Sequence, residues 1–222
     1  MAQFPFDIVG FDLDGTLFDT HEDLGHAVNH ALKLAGRPPV PVSEVRNLIG
    51  GGARLMLERA FELTGGTDDD SFEARFADLL AFYQANIAVH TRLFPGGEAM
   101  LDGLAERGVK VALVTNKLER LAVRLLDELG LSHRFFTVIG GDTLGPGRGK
   151  PAPDQLLEMI ARGGGGRAAY VGDTTYDTRA AKAAGLPCVA VTFGFNDLPT
   201  DQLGADAVID HFDELIPALE RL

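Results

Sequence analysis

Polar side chains capable of phosphate and cation chemistry follow the apolar runs of this chain one after another. Asp12 and Asp14 stand two apart in FDLDGT, Thr115 and Asn116 follow KVALV, Lys150 precedes Pro151, and Asp173 and Asp177 lie in AAYVGDTTYD. At a strand end, residues two apart face the same side, so Asp12 and Asp14 are expected together. Two close carboxylates repel, and one takes up a proton unless a cation intervenes. With Asp173 as a third carboxylate and no nearby His or Cys cluster, the donor set suits Mg²⁺, which takes few protein oxygens and leaves room for others. The Thr115 hydroxyl and the Lys150 ammonium both suit phosphate oxygens. Pro151 disfavours the α conformation at Lys150 and so predicts an extended loop there. Taken singly, Asp12 to Gly15 reads as a strand closing in a turn, Asp173 as a helix N-cap and Lys150 as a surface lysine. Their coincidence at successive strand ends carries the functional reading.

The elements that must position these residues alternate. Apolar runs at Phe6 to Asp12, Lys110 to Thr115 and Ala168 to Asp173 read as strands, with weaker candidates at Phe135 to Ile139 and Cys188 to Phe193. Helix-like stretches separate them, which predicts an α/β fold, a doubly wound, Rossmann-like parallel sheet with helices on both faces. Sites in such sheets gather at the carboxyl ends of the strands. Residues 17–90 break the alternation with three helical stretches, DLGHAVNHALKLAG, ARLMLERAFELTGG and SFEARFADLLAFYQANIAVH. They predict a small α-helical cap domain inserted into a core made of residues 1–16 and 91–222. The DDD run at 68–70 reads as a solvated turn or helix start.

A formal charge of −12 argues against nucleic acid as a partner, while leaving room for a small phosphorylated metabolite held by a few placed cations. No apolar run reaches the ~20 residues of a membrane helix. The start MAQFPFDIVGFDLD lacks the basic region of a signal peptide, so a cytoplasmic protein is expected, as monomer or homodimer. The single cysteine, Cys188, lies in an apolar run and reads as an inert core thiol. His26 and His30 are four apart but show no third ligand, so they read as a packed or solvated pair, and His90 stands isolated.

The run FDLDGTLFDT resembles the first motif of the haloacid dehalogenase superfamily, VTNK its second, Lys150 in KPAP its third and GDTTYD its fourth, all in that family's order. The resemblance implies a Mg²⁺-dependent phosphatase. Asp12 attacks phosphorus and forms an aspartyl phosphate, while Asp14 serves as general acid and then base. The Asp12 and Asp173 carboxylates and the Asp14 backbone carbonyl hold the metal, and Asp177 orients a metal-bound water or Lys150. Thr115 and Lys150, with backbone N–H groups near Leu13 and Asn116, neutralise the phosphoryl group.

The insert resembles the cap of phosphoglycolate phosphatases. Asp23, Leu24, Ala27, Asn29 and Leu32 fit one pattern, and Ile49, Gly50, Gly52 and Ala60 fit a second; Met56 stands where Leu is expected and Thr174 where Ser is. This implies 2-phosphoglycolate as substrate. Gly51 and Gly52 leave free N–H groups at a helix start, and Arg54 is a candidate partner for the substrate carboxylate. The alternatives are a β-phosphoglucomutase-like mutase, a phosphatase of sugar phosphates, nucleotides or pyrophosphate, and a noncatalytic binding protein on the same fold. A dehalogenase fits less well, since attack on carbon needs neither an acid at Asp14 nor a magnesium site.

Overall fold

The computed structural model describes residues 4–66 and 69–222. Its centre is a parallel sheet built from the apolar runs: β1 (Ile8–Phe11), β4 (Lys110–Val114), β5 (Thr137–Ile139), β6 (Ala168–Gly172), β7 (Cys188–Val191) and β8 (Ala207–Ile209), in the order β5-β4-β1-β6-β7-β8. Phe11 pairs with Leu113 on one side and Val171 on the other, so β1, β4 and β6 end level. The short edge strand β8 was not among the predicted strands, and Phe135–Phe136 and Thr192–Phe193 lie outside β5 and β7.

Alternate residues serve opposite faces, and both faces are covered. Val9, Phe11, Val111, Leu113, Ala169 and Val171 join one apolar cluster; Ile8, Ala112, Val114, Ala168 and Tyr170 join the other. Burial on both sides explains why these strands read as unbroken apolar runs. Helices α5 (Gly97–Glu106), α6 (Glu119–Glu128), α7 (Asp154–Arg162), α8 (Thr175–Ala184) and α9 (Leu215–Leu219) make the connections and close the chain. Cys188 is buried in β7, and burial pushes its thiol well up, as suits an inert core residue.

Between β1 and β4 the chain builds the helical insert from α1 (His21–Leu34), the short α2 (Val42–Val45), α3 (Ala53–Leu63) and α4 (Asp69–Ala85). Of the DDD run, Asp69 and Asp70 start α4 and Asp68 lies outside the described residues. Leu24, Val28, Met56, Leu57, Leu79 and Tyr83 bury the inner face of the insert in a cluster continuous with one face of the sheet. A two-residue antiparallel ribbon, β2 (Phe18–Asp19) with β3 (Arg92–Leu93), brackets it: Phe18 pairs with Leu93 and Asp19 with Arg92. The buried carboxylate of Asp23 adds a second stitch, accepting from the backbone N–H of Thr91 (2.9 Å) and of His90 (3.0 Å) and from the Thr91 hydroxyl (2.8 Å). No helix of the described residues is long and apolar enough to cross a membrane.

Candidate active site

The strand ends deliver the polar residues to one place. Asp12 follows β1 directly and its N–H continues the ladder to the Val171 carbonyl at 2.9 Å. Thr115 does the same after β4, donating from its N–H to the Ile139 carbonyl at 2.9 Å. Lys150 arrives on the loop after β5. Gln155, at the start of α7, fixes that loop: its Oε1 accepts from the Lys150 N–H (3.2 Å), and its amide donates to the carbonyls of Thr115 (3.0 Å) and Gly140 (2.7 Å). Asp173 directly follows β6 and Asp177 lies in the first turn of α8.

Lys150 is the centre of charge. Its buried Nζ lies 2.9 Å from Asp12 Oδ1 and 2.7 Å from Asp177 Oδ1, and donates to the Tyr170 hydroxyl at 2.8 Å. Burial alone favours loss of its proton, but Asp12 and Asp177 outweigh that and push its titration above the usual lysine range. The ammonium therefore stays charged throughout the working pH range.

The carboxylates have distinct surroundings. Asp177 is saturated: Oδ1 takes the Lys150 ion pair, and Oδ2 accepts from Thr174 N–H (2.9 Å), Thr174 Oγ1 (2.7 Å) and Asp173 N–H (3.2 Å). Asp173 Oδ1 accepts from Thr16 Oγ1 at 2.8 Å and Oδ2 from Phe195 N–H at 2.7 Å. Asp12 Oδ1 faces Lys150 as an ion pair but completes no hydrogen bond. Burial pushes Asp12 up to about 6 against the pull of Lys150, and burial with Asp177 and Asp12 nearby pushes Asp173 well up. Carboxylate oxygens of Asp12, Asp173 and Asp177 lie within 4.8 Å of one another. A crowded all-oxygen set of three carboxylates suits a hard divalent cation, which would relieve the repulsion.

Asp14 sits apart from this triad. Lys117 Nζ lies 2.8 Å from both of its oxygens, and Thr20 Oγ1 donates to Oδ1 at 2.7 Å. Lys117 is buried, its Nζ is 4.7 Å from the centroid of the Tyr83 ring of α4, and its N–H donates to Thr115 Oγ1 at 3.2 Å. The sequence reading passed over Lys117 although it stands inside the VTNK motif. Its only local signal is a lysine directly following a strand-end Thr-Asn pair, since both side chains it meets are distant in sequence.

The remaining candidates are placed as follows. Asn116 donates through Nδ2 to the Lys150 carbonyl (2.9 Å) and reaches the Gly50 carbonyl of the insert (3.4 Å). Gly52, at φ +90°, brings the backbone before α3 against Asn116: a Cβ there would meet the Asn116 carbonyl at 3.3 Å. Gly51, Gly52 and Arg54 line an outer cavity of about 780 Å³ shared with Asn116 and Lys150. Arg54 is engaged there by Glu73 Oε2 at 2.8 Å and lies over the rings of Phe72 and Phe76. A second, smaller cavity of about 30 Å³ lies between the insert and the strand ends and is lined by Asp12, Asp14, Thr115 and Lys117 among others.

Comparison with known proteins is consistent with this arrangement. The profile of the family described as haloacid dehalogenase-like hydrolase matches residues 9–191. The chain is 41% identical over 215 residues to a phosphoglycolate phosphatase of Agrobacterium fabrum, covering 94% of this chain and 90% of that one. It is also 41% identical over 221 residues to phosphoglycolate phosphatase 1 of Pseudomonas aeruginosa, covering 96% and 80%. A crystal structure of a predicted phosphoglycolate phosphatase from Haemophilus somnus superposes with a TM-score of 0.91 at 29% identity, covering 98% of this chain and 99% of the other.

Proposed function

Because the chain belongs to the haloacid dehalogenase-like hydrolase family, we propose that it is a Mg²⁺-dependent phosphatase of small phosphate monoesters, with 2-phosphoglycolate as its substrate. The observation that carries the reading is the Lys150 ammonium held between Asp12 and Asp177, with Asp173 on the same rim and Asp14 two residues beyond Asp12. In this reading residues 17–90 form a cap domain over a core of residues 1–16 and 91–222. The substrate follows from the relatives named above and from the small cavity beside Asp14. The protein acts in the cytoplasm, a reducing compartment that its single buried cysteine suits.

Asp12 is the nucleophile. With its carboxyl at about 6 it is ionised at neutral pH, and its oxygen attacks phosphorus as the bond from phosphorus to the ester oxygen breaks. Asp14 enters the cycle protonated and gives that proton to the departing oxygen; as the carboxylate it then takes a proton from the water that attacks the aspartyl phosphate, which frees inorganic phosphate and restores the acid. Lys150 stays cationic beside Asp12 and balances the phosphoryl charge, with the Thr115 hydroxyl and the backbone N–H groups near Leu13 and Asn116 as further donors. Lys117 and Thr20 hold the Asp14 carboxylate in place. The Asp12 and Asp173 carboxylates and the Asp14 carbonyl would hold Mg²⁺, while Asp177, already saturated, orients Lys150. The ion supplies positive charge that neutralises phosphate oxygens.

The test is steady-state hydrolysis of a panel of esters with Mg²⁺: phosphoglycolate, sugar phosphates, nucleotides and pyrophosphate. Highest kcat/KM on phosphoglycolate, release of free phosphate, and loss of turnover in Asp12→Asn are expected. An isomerised sugar phosphate as product, or full turnover in Asp12→Asn, would overturn the reading.

A further inference from the structure

The 30 Å³ cavity beside Asp14 has a specific chemistry. Leu24, Ile49, Met56 and Leu79 supply apolar walls. The polar groups that the insert brings to it are donors. Tyr83 lines it, is 2% exposed, and its hydroxyl has the Lys117 ammonium beside it but completes no well-aligned hydrogen bond. A native structure rarely leaves a buried hydroxyl unpaired, because the lost hydration is not repaid. The cavity also meets Gly52 and Ala53, where the 11-residue α3 begins with no side-chain cap and no acidic residue in its first turn. Helix N-termini of this kind present free N–H groups and partial positive charge. Lys117 contributes an ammonium whose contacts are the Asp14 carboxylate and the Tyr83 ring.

A hydroxyl, free N–H groups and an ammonium inside apolar walls match an anion that only accepts hydrogen bonds. The acceptors at the cavity, the Asp12 and Asp14 carboxylates, belong to the strand ends and are already paired with Lys150 and Lys117, so a group set against the insert meets donors and apolar surface, which suit a carboxylate better than a polyol. Asp12 and Thr115, which take the phosphoryl group, line the cavity from the strand ends, whereas Tyr83 and the start of α3 line it from the insert, so the anion on the insert side is assigned to the leaving group, a placement that rests on the phosphatase reading above. We propose that Tyr83, the N-terminus of α3 and Lys117 form the subsite for a carboxylate on a two-carbon leaving group, and that Tyr83 is a specificity-determining residue. Burial pushes the Tyr83 hydroxyl up to about 12, so it remains a donor at every working pH. Arg54 is not part of this subsite: it lines the outer cavity, where Glu73 and the rings of Phe72 and Phe76 engage it.

The experiment compares 2-phosphoglycolate with propyl phosphate, a near-isostere without the carboxylate, in the parent and in Tyr83→Phe. The ratio of the two kcat/KM values is expected to fall about tenfold or more in the variant, mainly through KM for phosphoglycolate. Calorimetric titration with glycolate needs no turnover and should show binding weakened about tenfold or more. Thermal unfolding of the variant without ligand should lie at or above that of the parent, because the orphaned hydroxyl is gone. A parent that discriminates alongside a variant that discriminates equally well, with unchanged glycolate binding, overturns the subsite and leaves the substrate assignment standing. A parent that hydrolyses both esters alike and does not bind glycolate overturns both.

Discussion

Asp12 carries a stability cost that becomes measurable when no divalent ion is bound. Its carboxyl titrates at about 6 in the fold against an ordinary 3.8, with burial as the main cause and Lys150 opposing it. The folded chain therefore keeps this proton over a window in which the unfolded chain has lost it. The contribution is fully stabilising below pH 3.8 and is lost as pH rises through about 6. The displacement corresponds to about 3 kcal/mol. Asn has the same shape and never ionises. Metal-free Asp12→Asn should thus be more stable than the parent at pH 7.5, by up to about 3 kcal/mol. The gap should close as the pH falls toward 4. Asp173 is pushed in the same direction, in part by Asp12 itself, so the difference reads Asp12 together with the relief of Asp173 that its removal brings. Urea unfolding of both proteins in EDTA across this pH range measures the gap. Saturating Mg²⁺ should reverse the order by stabilising the parent alone. A difference that is constant with pH, or a parent that gains on the variant as pH rises in EDTA, would refute the reasoning.

Two other substitutions test the supports of the site. Lys150→Met should destabilise the protein by about 3–5 kcal/mol, because it leaves Asp12 and Asp177 buried without their cation; urea unfolding reads the loss, and kcat should fall with it. Gly15→Ala should raise the Mg²⁺ concentration needed for half-maximal activity and cost about 1–3 kcal/mol, since Gly15 has φ +83° and a Cβ there would stand 2.3 Å from Asp173 Oδ2. An unchanged metal requirement in that variant would remove Gly15 from the support of Asp173.

The sheet was legible because β1, β4 and β6 are buried on both faces and so appear as continuous apolar runs, each closed by a polar residue. The same feature exposed Asp12, Thr115 and Asp173, and Pro151 marked the loop that carries Lys150. What was hidden depends on pairing at a distance. The ribbon of β2 and β3 has two residues per strand, too few to show a period, and its partners are more than seventy residues apart. Lys117 gains its meaning only from Asp14 and Tyr83, on separate elements. His90, isolated in sequence, is carried by the Asp23 stitch to Glu22, 3.3 Å away, with the ring of His26 5.5 Å from its own. His30 instead stacks on Phe82 at 4.5 Å. Arg54 followed the pattern of a ligand-facing residue, but Glu73, one helix away, supplies a partner that local sequence does not reveal.

The ribbon of Phe18–Asp19 with Arg92–Leu93 has a consequence for how such a protein can diversify. Paired strands lie about 5 Å apart, so the chain departs for the insert and returns at nearly the same point. The ladder of the main sheet is indifferent to the length and content of what is looped out between those two positions. The pair is a grafting seam: a helical unit with closely spaced ends can be exchanged there while the hydrolytic residues keep their register. Selection can then rewrite substrate preference on one side of the seam and leave the reaction untouched on the other.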